Sequence, residues 1–217
     1  MEITVKPIDA VIFVGTGLSI SFRLLLGGLS VGLFLGLTLA ILRHNGIGRR
    51  PIAHYVSLLR GTPVLLQLSL IYFAIPGILG VRLSVLSAGI ITFGLNSSAY
   101  MSEIFRSGIE GLPRGQFEAA QTLGIPRFFI WKDIILPQVF TAILPALTGE
   151  VIALLKETAL IATIGGADIM RKSQVLAAEQ FTYFMPLCIA GFYYYFIVLF
   201  VESLSRRLER RLRRAHH

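Results

Sequence analysis

Glu150 and Glu157 are acidic residues within a largely apolar stretch of this 217-residue chain. A separation of seven residues places both carboxylates on one face of a helix, about 10 Å apart along its axis. Ionisable groups inside long apolar runs are costly, so they are functional candidates by default. Two carboxylates on one stripe are suited to receive an ammonium or guanidinium group. The alternatives are that Lys156 or Arg23 neutralises one of them, or that Glu157 lies at an interface in contact with water.

Polar residues also occur in two other apolar stretches, as the run Asn96 to Ser98 and as Gln67. Serine and asparagine side chains often join membrane helices by hydrogen bonds, and we favour this role for Ser97 and Ser98. Asn96 and Gln67 are instead candidates for ligand contact. The sequence therefore predicts one cavity lined by Gln67, Asn96, Glu150 and Glu157.

The composition places these residues in a membrane protein. Hydrophobic residues make up 54% of the chain and charged residues only 15%, whereas a soluble domain carries roughly a quarter. The apolar residues form long runs, and mean hydropathy is +0.73. We predict an all-α integral membrane protein, one domain over residues 1–217. Five transmembrane helices are expected at about 14–42, 62–79, 84–106, 138–161 and 184–205, with a polar loop at 107–137 between the third and fourth.

Glycines recur every four residues in the first predicted span, at Gly28, Gly32 and Gly36. Small residues at this spacing let another helix approach closely in lipid. We expect the partner helix to belong to the same chain rather than to a second copy.

The net charge of +8 comes from basic clusters at or beyond the ends of the apolar runs. The clusters lie in residues 43–60, 106–132 and 206–214. Cytoplasmic segments of membrane proteins carry such an excess, so membrane orientation explains the charge better than nucleic-acid binding does. This predicts an external N-terminus, a cytoplasmic C-terminus and a short basic inner connection at 43–60. Residues 163–182 would form an external segment with room for a partly buried helix.

The predicted loop at 107–137 contains a short helix, Pro113 to Thr122, that is too polar to enter the bilayer. Glu118 offers a carboxylate beside the small residues Ala119 and Ala120, and Gly124 permits a sharp turn. A rigid helix with a small-residue face suits insertion into the cleft of a partner protein. An amphipathic segment lying on lipid headgroups is an equally good interpretation of these residues alone.

A resemblance favours the first interpretation. Residues Glu118 to Gly124, followed by Ile135-Leu136-Pro137, resemble the EAA signature of membrane subunits of binding-protein-dependent ABC importers. Other segments resemble the branch that takes up polar amino acids: Arg60-Gly61-Thr62-Pro63, Ala99 to Arg106, Gly111 to Gln116 and Leu155 to Leu160. The resemblance covers most of residues 16–205. Glu157 stands where aspartate is frequent in that branch, which leaves the substrate open.

The resemblance implies a permease subunit with the type I ABC importer fold, located in a bacterial plasma (inner) membrane. Glu118, Ala119, Ala120 and Gly124 would belong to a coupling helix docked on a cytoplasmic ATPase subunit. The implied partners are ABC ATPases, a second permease subunit, an extracellular or periplasmic substrate-binding protein and an amino-acid substrate. ATP and Mg²⁺ would bind in the ATPase, because no lysine of this chain follows a glycine as a phosphate-binding loop requires.

The residues leave alternatives open on mechanism and substrate. An ion- or proton-coupled secondary carrier would use Glu150 and Glu157 as its coupling groups, but it would not need the polar loop, and such carriers often contain internal repeats that are absent here. We expect neither an enzyme nor a metal site in this chain. The acidic pair favours a basic amino acid weakly, and homodimer and heterodimer fit equally.

Overall fold

The computed structural model describes residues 6–215 and contains helices but no strands in that range. The helices are α1 (Pro7–Gly15), α2 (Leu18–His44), α3 (Arg49–Gly61), α4 (Val64–Leu79), α5 (Val85–Glu110), α6 (Arg114–Thr122), α7 (Arg127–Ile164), α8 (Ile169–Glu179) and α9 (Phe184–Ala215). The predicted all-α class is confirmed.

The centre of the fold is the contact between α2 and α5, which run in the same direction. Gly28 of α2 lies against Phe93 of α5, and Gly36 lies against Met101. A Cβ atom at Gly32 would stand only 2.8 Å from the side chain of Ser97, so a larger residue there would force the helices apart. The glycine stripe packs within this chain, as predicted.

Within the described residues, three helical stretches are long and apolar enough to cross a membrane: Pro7–His44, Arg127–Ile164 and Phe184–Leu212. The pair α3 and α4, bent by 101° at its break, is a fourth candidate if it counts as one span. The predicted second span is α4 alone, whose 16 residues extend only about 24 Å. The predicted third span corresponds to α5, in which thirteen residues are buried by other helices. Because its neighbours shield it, α5 tolerates polar residues that a lipid-facing helix would not. The total of five spans stays a prediction.

Two predicted connections are largely helical. Of the loop predicted at 107–137, only residues 111–113 and 123–126 lie outside helices, because α5 continues to Glu110 and α7 already begins at Arg127. Arg106 supports the last turn of α5 by pairing with Glu103 and Glu110. The basic connection predicted at 43–60 holds α3, whose residues Ile52 and Val56 pack against Ala99 of α5. Ile52 and Val56 are four residues apart and share one face of the helix. Their packing makes this basic segment a helix that lies against α5 rather than a simple connection.

Helices α4 and α7 each contain a π-helical segment just before a proline. The segments are Leu70–Ala74 before Pro76 and Ile130–Ile135 before Pro137. Proline has no N–H to donate and its ring displaces the carbonyl four residues earlier, so the local hydrogen-bond register shifts. The helix therefore runs through Leu136-Pro137 and begins at Arg127, ahead of the span predicted at 138–161.

Candidate functional site

Polar side chains form a layer halfway along α5, about 18 Å from either end of this helix. Ser97 donates a hydrogen bond of 2.7 Å from Oγ to Oε1 of Glu150 on α7. Ser98 accepts or donates a 2.7 Å bond to the hydroxyl of Tyr55 on α3. The layer therefore joins α3, α5 and α7 at one depth.

Gln67 and Asn96 meet at the break between α3 and α4. The amide nitrogen of Asn96 lies 3.2 Å from Oε1 of Gln67 and 3.2 Å from the backbone oxygen of Leu59. Gln67 donates from Nε2 to the same Leu59 oxygen at 2.8 Å and to Thr62. These amides satisfy the carbonyl groups left free where α3 ends. Both side chains are buried, and their direct contact with a substrate stays a prediction.

Glu150 and Glu157 lie on one face of α7, as their spacing predicted. Both are partly buried, and each is close enough to the other for their charges to interact. Among the described side chains, neither Arg23 nor Lys156 forms an ion pair with them. Glu150 joins the polar layer through Ser97, next to Asn96, whereas Glu157 stands two turns further along α7. The structure thus brings three of the four predicted residues into one layer.

Arg60, which sequence reasoning did not propose as a site residue, is exposed and lies on α3 beside this layer. It was assigned to a basic inner connection, but α3 carries it along α5 to the level of Tyr100. The guanidinium carbon of Arg60 lies 5.0 Å from the centre of the Tyr100 ring. Arg60 also lines an open cavity of about 430 Å³ together with Arg43, Ser57 and Glu103. The signal available in the sequence was the helix break at Gly61-Thr62-Pro63, which fixes where α3 ends.

The short helix α6 lies at one end of the molecule, as predicted for Pro113 to Thr122. Glu118 and Ala119 are exposed, whereas Ala120 is buried with only 4% of its surface accessible. Gly124 ends the turn after the helix with a φ of 73°, a conformation that favours glycine. Among the four predicted coupling residues, three are thus accessible and one holds the helix in place.

Two side-chain contacts attach α6 to the first turns of α7. Gln138 donates a 2.8 Å hydrogen bond from Nε2 to Oε1 of Gln116. The rings of Phe117 and Trp131 lie with their centres 6.2 Å apart, and Trp131 also contacts His44 at the end of α2. A force applied to α6 would therefore reach both α7 and α2.

The opposite end of the molecule contains a buried carboxylate, Asp168, that precedes α8. Its Oδ1 accepts a 2.9 Å bond from the backbone of Arg171, and its Oδ2 accepts from Met170 and from the hydroxyl of Tyr194. Burial raises the pKa of Asp168, and these hydrogen bonds oppose that rise only in part.

The described residues contain no group of three or more His, Cys, Asp or Glu side chains arranged to hold a metal ion.

Residues 12–214 match the family described as the binding-protein-dependent transport system inner membrane component. The chain is 40% identical to the permease protein GlnP of Rickettsia typhi, whose name proposes glutamine transport, over 98% of both chains. It is 38% identical to the arginine transport system permease protein ArtQ of Bacillus subtilis, over 93% of both. A crystal structure of an amino acid ABC transporter with histidines superimposes with a TM-score of 0.85 at 33% identity, covering 94% of this chain and 96% of the other.

These matches define a membrane permease of the ABC importer class, with the type I fold predicted from the sequence. The chain belongs to the family of binding-protein-dependent transport system inner membrane components. The inward-facing methionine transporter MetNI shares the fold, with a TM-score of 0.73 at 18% identity.

Proposed function

We propose that this chain is the permease subunit of an ATP-driven importer of polar amino acids, with basic amino acids as the preferred substrates. It forms half of the translocation pathway, in a dimer with a second permease subunit. The observation that carries the proposal is the pair of partly buried carboxylates, Glu150 and Glu157, on one face of α7. Gln67 and Asn96 lie in the polar layer with Glu150 and complete the proposed substrate site.

The acidic pair supports a cationic substrate because both carboxylates lack an ion-pair partner among the described side chains. A charge held away from bulk water is costly unless an opposite charge compensates it. An ammonium or guanidinium group on the substrate supplies that compensation. The name of the relative ArtQ, which refers to arginine, agrees with this choice, whereas the name GlnP refers to glutamine.

The exposed surface of α6 supports coupling to a separate ATPase that supplies the energy for transport. Glu118 and Ala119 of α6, with Gly124 in the turn after it, form the docking surface for a cytoplasmic ABC ATPase. The ATPase binds ATP and Mg²⁺ and performs the hydrolysis. In this proposal the α6 end and the C-terminus lie in the cytoplasm and the α8 end lies outside, where a periplasmic or extracellular substrate-binding protein delivers the amino acid.

A small-residue face on α7 supports the second permease subunit. Ala142, Ala146, Gly149 and Ala153 follow one another at helical spacing and are all exposed. Apart from its chain neighbours and the adjacent backbone of α7, no atom of the described residues lies within 4 Å of a Cβ placed on Gly149. Helices approach each other closely in lipid through faces of this kind.

The test is Glu118→Lys in the importer reconstituted with its ATPase and binding protein in vesicles. We expect ATP hydrolysis to lose its stimulation by binding protein and amino acid, while the permease still inserts in the membrane. Asp9→Lys, which reverses an exposed charge on α1, is the control and should leave stimulation intact. Uptake that needs no ATP and is unaffected by Glu118→Lys would instead identify a secondary carrier.

The substrate is tested in the same vesicles by comparing amino acids as stimulators of ATP hydrolysis. Arginine, lysine and histidine should stimulate more strongly than neutral amino acids. A response confined to sugars or metal ions would contradict the proposal.

A further inference from the structure

Basic side chains converge where α2 and α5 end and α3 begins. Arg43 and His44 lie in the last turn of α2, Arg49 is the first residue of α3, and Arg106 lies one turn before the end of α5. These four side chains line one cavity of about 300 Å³. Among the described residues, Glu110 supplies the single carboxylate of its wall. The cavity is therefore a basic pocket between the ends of long helices.

Arg49 is the cation of this cavity that is free to bind an anion. Arg43 pairs with Glu103, and Arg106 pairs with Glu103 and Glu110, so these charges compensate one another. Arg49 forms no ion pair among the described side chains. Its Nε donates a 3.4 Å hydrogen bond to the backbone oxygen of Arg43, which holds the side chain beside the cavity. The two terminal nitrogens of its guanidinium group remain available as donors.

A second cavity, of about 630 Å³, adjoins the first and has mostly apolar walls. The two cavities share four lining residues: His44, Arg49, Ile109 and Glu110. The remaining wall is formed by α6, by the turn before it and by the first turns of α7, through Leu112, Pro113, Phe117, Glu118, Trp131 and Ile135. We call the two cavities together the amphipathic groove, because an unpaired cation lies at one end and apolar side chains lie at the other.

The chemistry of this groove matches a phospholipid with an anionic headgroup. A phosphate group accepts hydrogen bonds from a guanidinium, and an acyl chain covers an apolar wall that a small soluble anion would leave exposed to water. Basic pockets between membrane helices on the cytoplasmic side bind the headgroups of anionic lipids. Tryptophan rings are enriched at the same depth, where headgroups meet acyl chains, and Trp131 lines the apolar part of the groove.

We propose that the amphipathic groove binds an anionic phospholipid, with the phosphate on Arg49 and an acyl chain along Trp131. The lipid fills the space between the end of α2 and α6, so it stabilises α6 in its position against α7. This inference requires only that the chain lies in a membrane, and it does not depend on which substrate is transported.

The test uses the fluorescence of Trp131, the single tryptophan of the chain, in permease reconstituted in phosphatidylcholine vesicles. Phosphatidylglycerol or phosphatidylcholine with brominated acyl chains is added at equal mole fractions, because bromine quenches a tryptophan that it contacts. The wild-type site should prefer phosphatidylglycerol about fivefold, which corresponds to about 1 kcal/mol for one arginine at the membrane surface. Arg49→Gln should abolish this preference and leave quenching by phosphatidylcholine unchanged.

Arg50→Gln is the matched control. Arg50 carries the same charge one position further along α3, but it is not among the residues that line either cavity. The general attraction of anionic lipid to a basic surface falls equally in both variants, so a loss confined to Arg49→Gln identifies the groove. Circular dichroism of both variants checks that the helices are intact.

Three results would overturn the inference: equal quenching by the two lipids in the wild type, a preference that survives Arg49→Gln, or an equal loss in both variants. Inorganic phosphate, added in excess, should not reverse the quenching by phosphatidylglycerol. If it did, the groove would bind a free anion and the assignment to a lipid would be wrong. None of these measurements requires transport, so they remain informative if the proposed function fails.

Discussion

Helices α6 and α8 have similar lengths and connect long helices at opposite ends of the molecule, but the chain buries them to different extents. In α8 the residues Ile169, Ser173, Leu176 and Ala177 are all buried. In α6 the only buried residue among the described side chains is Ala120. The N-termini differ as well, because Asp168 caps α8 through its side chain whereas Pro113 gives α6 no side-chain cap.

Contacts within the chain therefore stabilise α8, whereas α6 leaves most of its surface available to a partner. The buried face of α8 packs against α1, α9 and the last turns of α7, and Tyr194 anchors its cap. α6 is attached along one side only, and Leu123 at its end is 78% exposed. An apolar residue this accessible outside the candidate spans fits a surface that a partner covers.

The largest effect that follows from this comparison is expected at Ala177, which is fully buried in α8. Ala177→Phe should lower the free energy of unfolding by about 3 kcal/mol because the packed site has no room for a ring. The neighbouring exposed residue is the control, and Ala178→Phe should change stability by no more than about 0.5 kcal/mol. Thermal unfolding of the two purified variants in detergent measures their stabilities. Equal unfolding midpoints would contradict the expectation that a ring is costly only at the buried Ala177.

A smaller effect, of another kind, is expected at Ala119 on the exposed side of α6. Ala119→Phe should leave the unfolding midpoint of the isolated permease unchanged. It should lower uptake by the assembled importer about tenfold, equivalent to about 1.4 kcal/mol of lost docking, because the ring obstructs a close-fitting partner. Ala120→Phe is the matched variant, and it should reduce the midpoint as well as uptake. Normal uptake by Ala119→Phe would show that α6 docks through another face.

The sequence predicted α6 almost to the residue because its limits are local. Pro113, Gly124 and Pro126 mark the turns on either side, and each acts through its own backbone geometry. The glycine stripe of α2 was predictable for the same reason, since helical periodicity alone assigns Gly28, Gly32 and Gly36 to one face.

The polar layer was only partly predictable because its members meet across long separations in the chain. Gln67 and Asn96 were recognised as polar residues in apolar runs, but their shared partner is a backbone oxygen, that of Leu59, which no side-chain pattern reveals. Arg60 was not predicted beside this layer because a basic residue near a span end also fits the positive-inside rule. Only the path of α3 along α5 distinguishes the two positions.

Asp168 caps the helix that follows it directly, but the burial of its side chain depends on residues far away in the sequence. An aspartate just before a helix can act as its N-cap, and Asp168 has this role at the start of α8. Its burial depends on the elbow between α1 and α2, where a Cβ on Gly17 would lie 2.4 Å from the backbone of Asp168. Gly17 and Asp168 are about 150 residues apart in the sequence, so the burial of the carboxylate could not be predicted without the tertiary structure.

The smallest effect in the comparison is a pH dependence of stability at the capped N-terminus of α8. Burial raises the pKa of Asp168 in the folded protein above its unfolded value of about 3.9, so the folded state holds the proton more tightly. The stability from this group is therefore complete below the unfolded pKa and is lost as pH rises through the folded pKa. Asn cannot titrate, so wild type should lose stability relative to Asp168→Asn as pH rises from about 4 towards neutrality. Unfolding midpoints of both proteins in detergent across this range measure the difference. A constant difference would mean that Asp168 ionises as freely in the folded protein as in the unfolded chain.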